Sequence, residues 1–314
     1  MKTVAVVFAS SDNYAMLLGV ALCSIFENKK GNYHVSVYVI DAGISAKNKE
    51  RLKVLEKRYG FAINYILPDK KLFENIPIGD LSTRYYLPIE VYYRTAIARL
   101  IPADCRKLIY LDVDVIVRGD IAELFNISLD GKTVGAVADC FQDLRREHLR
   151  KLCRSVQLLE EPEKLMYFNS GVILIDLDLW RKRGIEEKLL NFIRENPDKL
   201  WFADQDALNV VFLNDCKELA IKYNFIAAAI VEEAYEHNEP DPFIIHFAAG
   251  GKPWYILSAL PYRSEYMYYV GKTPWRNKKY RKPMDIYFAK KYHIYFVMWT
   301  VWSAYKKIKK YFAP

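Results

Sequence analysis

Residues 107–117 read KLIYLDVDVIV, an apolar, β-branched run interrupted only by Asp112 and Asp114. Such a run suits a strand buried on both faces, as in a parallel sheet covered by helices. The same character recurs upstream in TVAVVFAS (3–10), HVSVYVI (34–40) and a short run at 62–66, and downstream in 133–138, NSGVILIDL (169–177) and 244–247. Helical patterns alternate with these strands: YAMLLGVALCSIF (14–26), a charged amphipathic stretch over 45–59 with Ser45 as its N-cap, 91–100, 185–195, and DQDALNVVF (204–212), which opens with acids where the helix dipole favours them. Strand–helix alternation of this kind predicts an α/β fold with a mostly parallel central sheet and helices on both faces.

The chain has 314 residues, 52% of them hydrophobic and 27% charged, enough for one large packed domain with a small appendage. Its net charge of +8 is unevenly placed. Residues 270–314 hold ten Lys and two Arg against Asp285 alone, a local charge of +11 that leaves the rest of the chain at −3. The sequence thus divides into a body, 1–270, and a basic aromatic segment, 271–314. Lysine pairs there alternate with Tyr292, Tyr295, Phe296, Trp299 and Trp302 at helical spacing, a composition that suits an anionic membrane surface. An acidic body without a nucleic-acid module argues against a nucleic-acid partner. Five scattered cysteines with no Cys-x-x-Cys pair read as reduced thiols in a cytoplasmic protein. Lys2 and the apolar run after it are too short, and too soon followed by Ser11-Asp12-Asn13, for a secretory leader. No apolar stretch reaches the ~18 residues that span a bilayer.

Several groups carry chemistry. Two ionised carboxylates in an apolar strand are costly to bury unpaired, so Asp112 and Asp114 call for a divalent cation or for arginine partners. His246, at the end of an apolar run, either completes an N,O ligand set or is a satisfied core histidine. Gly250-Gly251-Lys252 either lets backbone amides and a lysine approach phosphate or is simply a turn. Asn169, Ser170, Asp204 and Gln205 are either helix and strand caps or a polar wall for sugar hydroxyls. Arg94, among apolar and aromatic neighbours, pairs with an acid, snorkels to water or meets a ligand. No Walker loop and no G-x-G-x-x-G follows the first strand, which leaves nucleotide phosphotransfer and dinucleotide redox chemistry without their fingerprints.

In order and local wording, seven segments resemble glycosyltransferase family 8, with its bacterial lipooligosaccharide galactosyltransferases and glycogenin: FASSDNYA (8–15), VIDAGIS (39–45), YYRTAIARLI (92–101), KLIYLDVDVIVRGDI (107–121), YFNSGVILIDLDLWR (167–181), DQDALN (204–209) and HFAAGGKPW (246–254). The resemblance implies a GT-A nucleotide-binding fold and a metal-dependent, retaining transfer of hexose, galactose ahead of glucose, from a UDP-sugar to a saccharide acceptor of a surface glycan. It implies Mn²⁺, or Mg²⁺, on Asp112, Asp114 and His246. Ser11, Asp12, Asn13 and Tyr14 would line the uridine, with Val113 beside the nucleotide. Ala249, Gly250, Gly251 and Lys252 would meet the diphosphate. Arg94, Asn169, Ser170, Asp204 and Gln205 would surround the hexose, with Gln205, Asp204 and Arg94 as catalytic candidates, and Asp139 would face the acceptor. Three positions depart from the galactosyltransferases: Ser11 replaces an acid, Ala249 a glycine and Tyr86 a histidine. The expected location is cytoplasmic, on the inner face of the membrane. A non-catalytic nucleotide-sugar binder and a protein or peptide-glycan glucosyltransferase are the alternatives.

Overall fold

The computed structural model describes residues 2–74, 76, 89–158, 165–231, 241–248, 251–255, 258 and 260–277. Tyr86, Ala249, Gly250 and the basic segment from 278 onward therefore lie outside the described residues.

Seven strands form the main sheet: β1 (Thr3–Ser10), β2 (His34–Asp41), β3 (Ile63–Ile66), β4 (Lys107–Leu111), β6 (Val134–Ala138), β7 (Phe168–Asp176) and β8 (Cys216–Leu219), in the order β3-β2-β1-β4-β7-β6-β8. All paired neighbours run parallel except those of β7, which opposes both β4 and β6. Three short strands, β5 (Val115–Val117), β9 (Phe225–Ile226) and β10 (Ile244–His246), make a second sheet in the order β5-β10-β9.

The alternation of β1 sends Val4, Val6 and Phe8 into one core and Ala5 and Val7 into the other, so helices are needed on both faces. Helix Ala15–Glu27 is apolar nearly all round and has 11 buried residues. That composition fits its place, where it packs on β1, β5 and helix Arg263–Gly271. The opposite face is covered by helices Ile185–Glu195 and Asp204–Val211. Ser45 caps helix Ala46–Tyr59 as the sequence predicts, its side chain accepting from Asn48 N, and Gly60 at φ +69° ends that helix in the left-handed region.

Two expectations change. The run 107–117 is not one strand: β4 ends at Leu111, β5 begins at Val115, and the two belong to different sheets. The break falls on the two acids, whose carboxylates a continuous buried strand could not have satisfied. Residues 91–100 are mostly a 3-10 helix (Ile89–Ala96) followed by one α turn (Ile97–Leu100). Helix Gln142–Ser155 and strands β8 and β9 have no counterpart in the sequence reading.

The expected boundary at residue 270 falls just ahead of Trp275, which is buried against Gly19, and of Lys272, which pairs with Glu27. Among the described residues no helix is long and apolar enough to cross a membrane.

Candidate active site

Backbone ladders hold the acid pair from both sides. Leu111 registers with Val172 across β4 and β7, and the ladder continues one step as Asp112 N donates to the Gly171 carbonyl at 2.7 Å. On the other side Val115 registers with His246, and Phe247 N donates to the Asp114 carbonyl at 2.9 Å. Topology alone thus brings His246 beside two acids more than a hundred residues away in sequence.

The side chains converge. One ligand atom from each of Asp112, Asp114 and His246 lies within 4.8 Å of the others. His246 Nε2 stands 3.3 Å from Asp114 Oδ1 and 3.9 Å from Asp112 Oδ2. Its other nitrogen, Nδ1, bonds Asn224 Oδ1 at 2.9 Å, and Asn224 Nδ2 donates to Asn169 Oδ1 at 2.9 Å. The Asn224 oxygen can only accept, so Nδ1 carries a proton and Nε2 is the ring nitrogen turned to the carboxylates. Gly171 leaves room for this: a Cβ there would stand 2.2 Å from His246 Cε1 and 3.0 Å from Asp112 Oδ2.

Lysine occupies the fourth side. Lys252 Nζ lies 2.7 Å from Asp114 Oδ2 and 2.6 Å from the Phe247 carbonyl. Burial raises the Asp114 pKa, but Lys252 and His246 outweigh it and hold the carboxyl below its usual range. Two carboxylates and an imidazole gathered this closely could hold a divalent cation of the Mn²⁺ or Mg²⁺ kind.

Beside the acid pair Arg94 is buried over the ring of Tyr110. It lies 3.3 Å from Asp112 and 2.7 Å from Asp204, and donates to the carbonyls of Val91 and Ser170. The Nε–H is aimed at Val91, so Asp204 Oδ2 is paired by charge and yet receives no hydrogen bond. Burial, together with Asp112, pushes the Asp204 carboxyl up to about 7 against the pull of Arg94. Gln205 bonds Ser170, and Asn169 turns its carbonyl oxygen toward Gly171 N and Asn224.

A cleft of about 210 Å³ opens beside Arg94 and the acid pair, walled by Ser10, Ser11, Tyr14, Arg94, Asp112, Asp114, Lys252 and Trp254. Two larger hollows, of about 710 and 650 Å³, lie away from the acid pair. Tyr14 is 41% exposed, a position from which its ring can stack on a base. Asp12 bonds Ser45 N and Asn48, fixing the loop after β1 against helix Ala46–Tyr59. Asp139 is buried, paired with Arg145 and bonded by Phe141 N. Gly251 is buried beside Lys252.

A sequence profile of glycosyl transferase family 8 matches residues 5–257. The chain belongs to this family. Among its relatives, General stress protein A of Bacillus subtilis is 33% identical over 283 residues, 86% of this chain and 94% of that one. Lipopolysaccharide 1,2-glucosyltransferase of Escherichia coli is 27% identical over 290 residues, 90% of this chain and 82% of that one. The solved structure of galactosyltransferase LgtC in complex with donor and acceptor sugar analogs is 28% identical and superposes with a TM-score of 0.72, covering 86% of this chain and 96% of that one. The fold is that of GT-A glycosyltransferases such as LgtC.

Sequence reasoning about this family 8 transferase missed Asn224, which aims His246, and Gly171, which makes room for it. It also missed Tyr167, Asp206 and Asn209, which brace Gln205. Asp206 did leave a trace, as an acid inside an otherwise apolar helix face; Asn224 left none.

Proposed function

We propose that this chain is a retaining hexosyltransferase that moves a hexose, galactose ahead of glucose, from a UDP-sugar to a saccharide acceptor of a lipopolysaccharide-type glycan, with Mn²⁺ as its metal. The observation that carries the reading is one continuous cluster: Asp112, Asp114, His246 and Lys252 gathered together, with Arg94 reaching Asp112 at 3.3 Å and Asp204 at 2.7 Å, beside a cleft lined by Arg94, Asp112, Asp114 and Lys252. The first four suit a metal-bound diphosphate, and Arg94 with Asp204 the hydroxyls of one sugar.

The ion, when bound, supplies Lewis-acid stabilisation to the departing UDP. Lys252 adds a point charge beside it, freed from Asp114 as the diphosphate arrives. Asp204 Oδ2, ion-paired with Arg94 at 2.7 Å but accepting no hydrogen bond, is offered to a sugar hydroxyl. Buried and paired with a cation, Asp204 is a poor nucleophile. We therefore favour a same-face displacement, in which a phosphate oxygen of the leaving UDP takes the acceptor proton.

The test is UDP release from a panel of UDP-sugars with and without Mn²⁺. One UDP-hexose should be hydrolysed slowly without acceptor, and a chelator should stop it. Absence of release from every donor, also with saccharide acceptors present, would sink the reading. The basic segment 271–314 extends the proposal to a peripheral place on the inner membrane face, supported by its cations and rings. Cosedimentation with anionic vesicles should be lost when 278–314 are deleted; equal sedimentation of both proteins would refute it.

A further inference from the structure

The hydrogen-bond chain through Gln205 fixes which end of its amide meets the substrate. Arg94 has donors only, and its Nη1 donates to the Ser170 carbonyl at 2.7 Å and to Ser170 Oγ at 3.3 Å. The Ser170 hydroxyl, accepting from Arg94, directs its single hydrogen to Gln205 Oε1 at 3.1 Å. Ser170 N, which can only donate, reaches the same oxygen at 3.0 Å. Both lone pairs of the Gln205 carbonyl are thereby occupied.

The other end is equally constrained. Asp206 is fully buried, and its Oδ2 accepts from Trp201 N at 2.6 Å and Phe202 N at 2.9 Å and bonds His148 Nε2 at 3.0 Å. Its Oδ1 receives the hydroxyl of Tyr167 at 2.6 Å. Tyr167 has no second hydrogen, so toward Gln205 it can only accept, and it takes Nε2 at 3.3 Å. Donor inventory at both ends therefore selects one amide orientation.

The frame around it is rigid. Asn209 bonds the Phe168 N and carbonyl and the backbone carbonyl of Gln205, tying β7 to the start of helix Asp204–Val211. Ala203, just ahead of that helix, sits at φ +49°, ψ −123°, a backbone shape costly for a residue with a side chain. The two N–H bonds to Asp206 from 201 and 202 hold the loop in it.

Resting on the transferase reading above, we infer that Tyr167, held by Asp206, is a positioning residue that makes Gln205 present an N–H, not its carbonyl, to the substrate. Gln205 is then a neutral hydrogen-bond donor to an oxygen of the transferred sugar or of the acceptor. It is not the attacking atom.

Kinetics of Tyr167→Phe, Gln205→Glu and Gln205→Ala test this with whichever UDP-sugar the wild type turns over. Tyr167→Phe should lower kcat about tenfold, the worth of one hydrogen bond, with donor KM and UDP affinity within about twofold. Gln205→Glu, which keeps an oxygen but loses the N–H, should fall at least as far as Gln205→Ala. The inference is overturned if Tyr167→Phe keeps wild-type kcat, if its loss tracks a loss of UDP affinity, or if Gln205→Glu outpaces Gln205→Ala. Should the wild type release no UDP at all, the transferase reading fails separately. The Gln205 side-chain amide resonances then carry the test: one Nε2 proton should move upfield on Tyr167→Phe as it loses its bond to that hydroxyl, and unchanged resonances would overturn the inference.

Discussion

Replacing Gly171 with alanine adds one carbon and two hydrogens, and should weaken metal binding at Asp112, Asp114 and His246. The new Cβ would stand 2.2 Å from His246 Cε1, 2.8 Å from Nδ1 and 3.0 Å from Asp112 Oδ2. Carbon atoms rest about 3.5–4.0 Å apart, so the imidazole must retreat by about 1.5 Å or β7 must shift. The ring is tethered: Nδ1 bonds Asn224, and His246 is a ladder residue opposite Val115. Retreat withdraws Nε2 from Asp114, and a strand shift breaks the 2.7 Å bond from Asp112 N to the Gly171 carbonyl. Position 171 lies within β7, so alanine's backbone preference is no obstacle and the methyl group alone causes the damage. Overpacking of this kind costs about 1–3 kcal/mol in stability, which a protein with a core this large survives. Metal affinity should fall about 100-fold, as when a ligand loses its support, and sugar transfer with it. Calorimetric titration of Mn²⁺ with UDP present, alongside thermal melts, measures both. A Gly171→Ala protein that folds and binds Mn²⁺ within about threefold of wild type would refute the geometry on which the site is built.

Other outcomes follow from the same contacts. Lys252→Ala should bind Mn²⁺ alone a few times more tightly than wild type, because Nζ no longer competes for Asp114, yet transfer sugar more slowly for want of a charge on the diphosphate; weaker metal binding by titration would contradict this. Asp204 holds its proton to about pH 7 when folded, whereas an unfolded aspartate loses it near pH 3.9. The folded metal-free protein therefore binds more protons over that window and loses stability as pH rises through it, by at most about 4 kcal/mol. Asp204→Asn lacks this dependence, so its melting temperature should gain on wild type between pH 4.5 and 7.5. A constant difference across that range would refute the shift.

Much of the architecture was legible because it rests on local pattern. The runs at 3–10, 34–40 and 169–177 are strands, and 14–26, 45–59 and 204–212 are helices, within a residue or two. Asp112, Asp114 and His246 stood out as polar exceptions in apolar runs, and the family resemblance grouped them, as the fold does. What pattern could not show is how β4 and β5 part company at the acids, because the division depends on pairing with Gly171 and Phe247 far along the chain. Nor could it reveal that β7 runs against its neighbours, since a strand buried on both faces reads the same in either direction. Support residues were the hardest to see. Asn224 and Tyr167 act by aiming His246 and Gln205, and their partners are 22 and 38 positions away. Gly171 matters for the atoms it lacks.

Crystals soaked with Mn²⁺ and UDP, with data collected at the manganese absorption edge, address the central claim most directly. A single anomalous peak should appear within about 2.5 Å of carboxylate oxygens of Asp112 and Asp114 and of His246 Nε2, with Lys252 moved from Asp114 toward the phosphates. A peak elsewhere, or none with Lys252 still on Asp114, would contradict it.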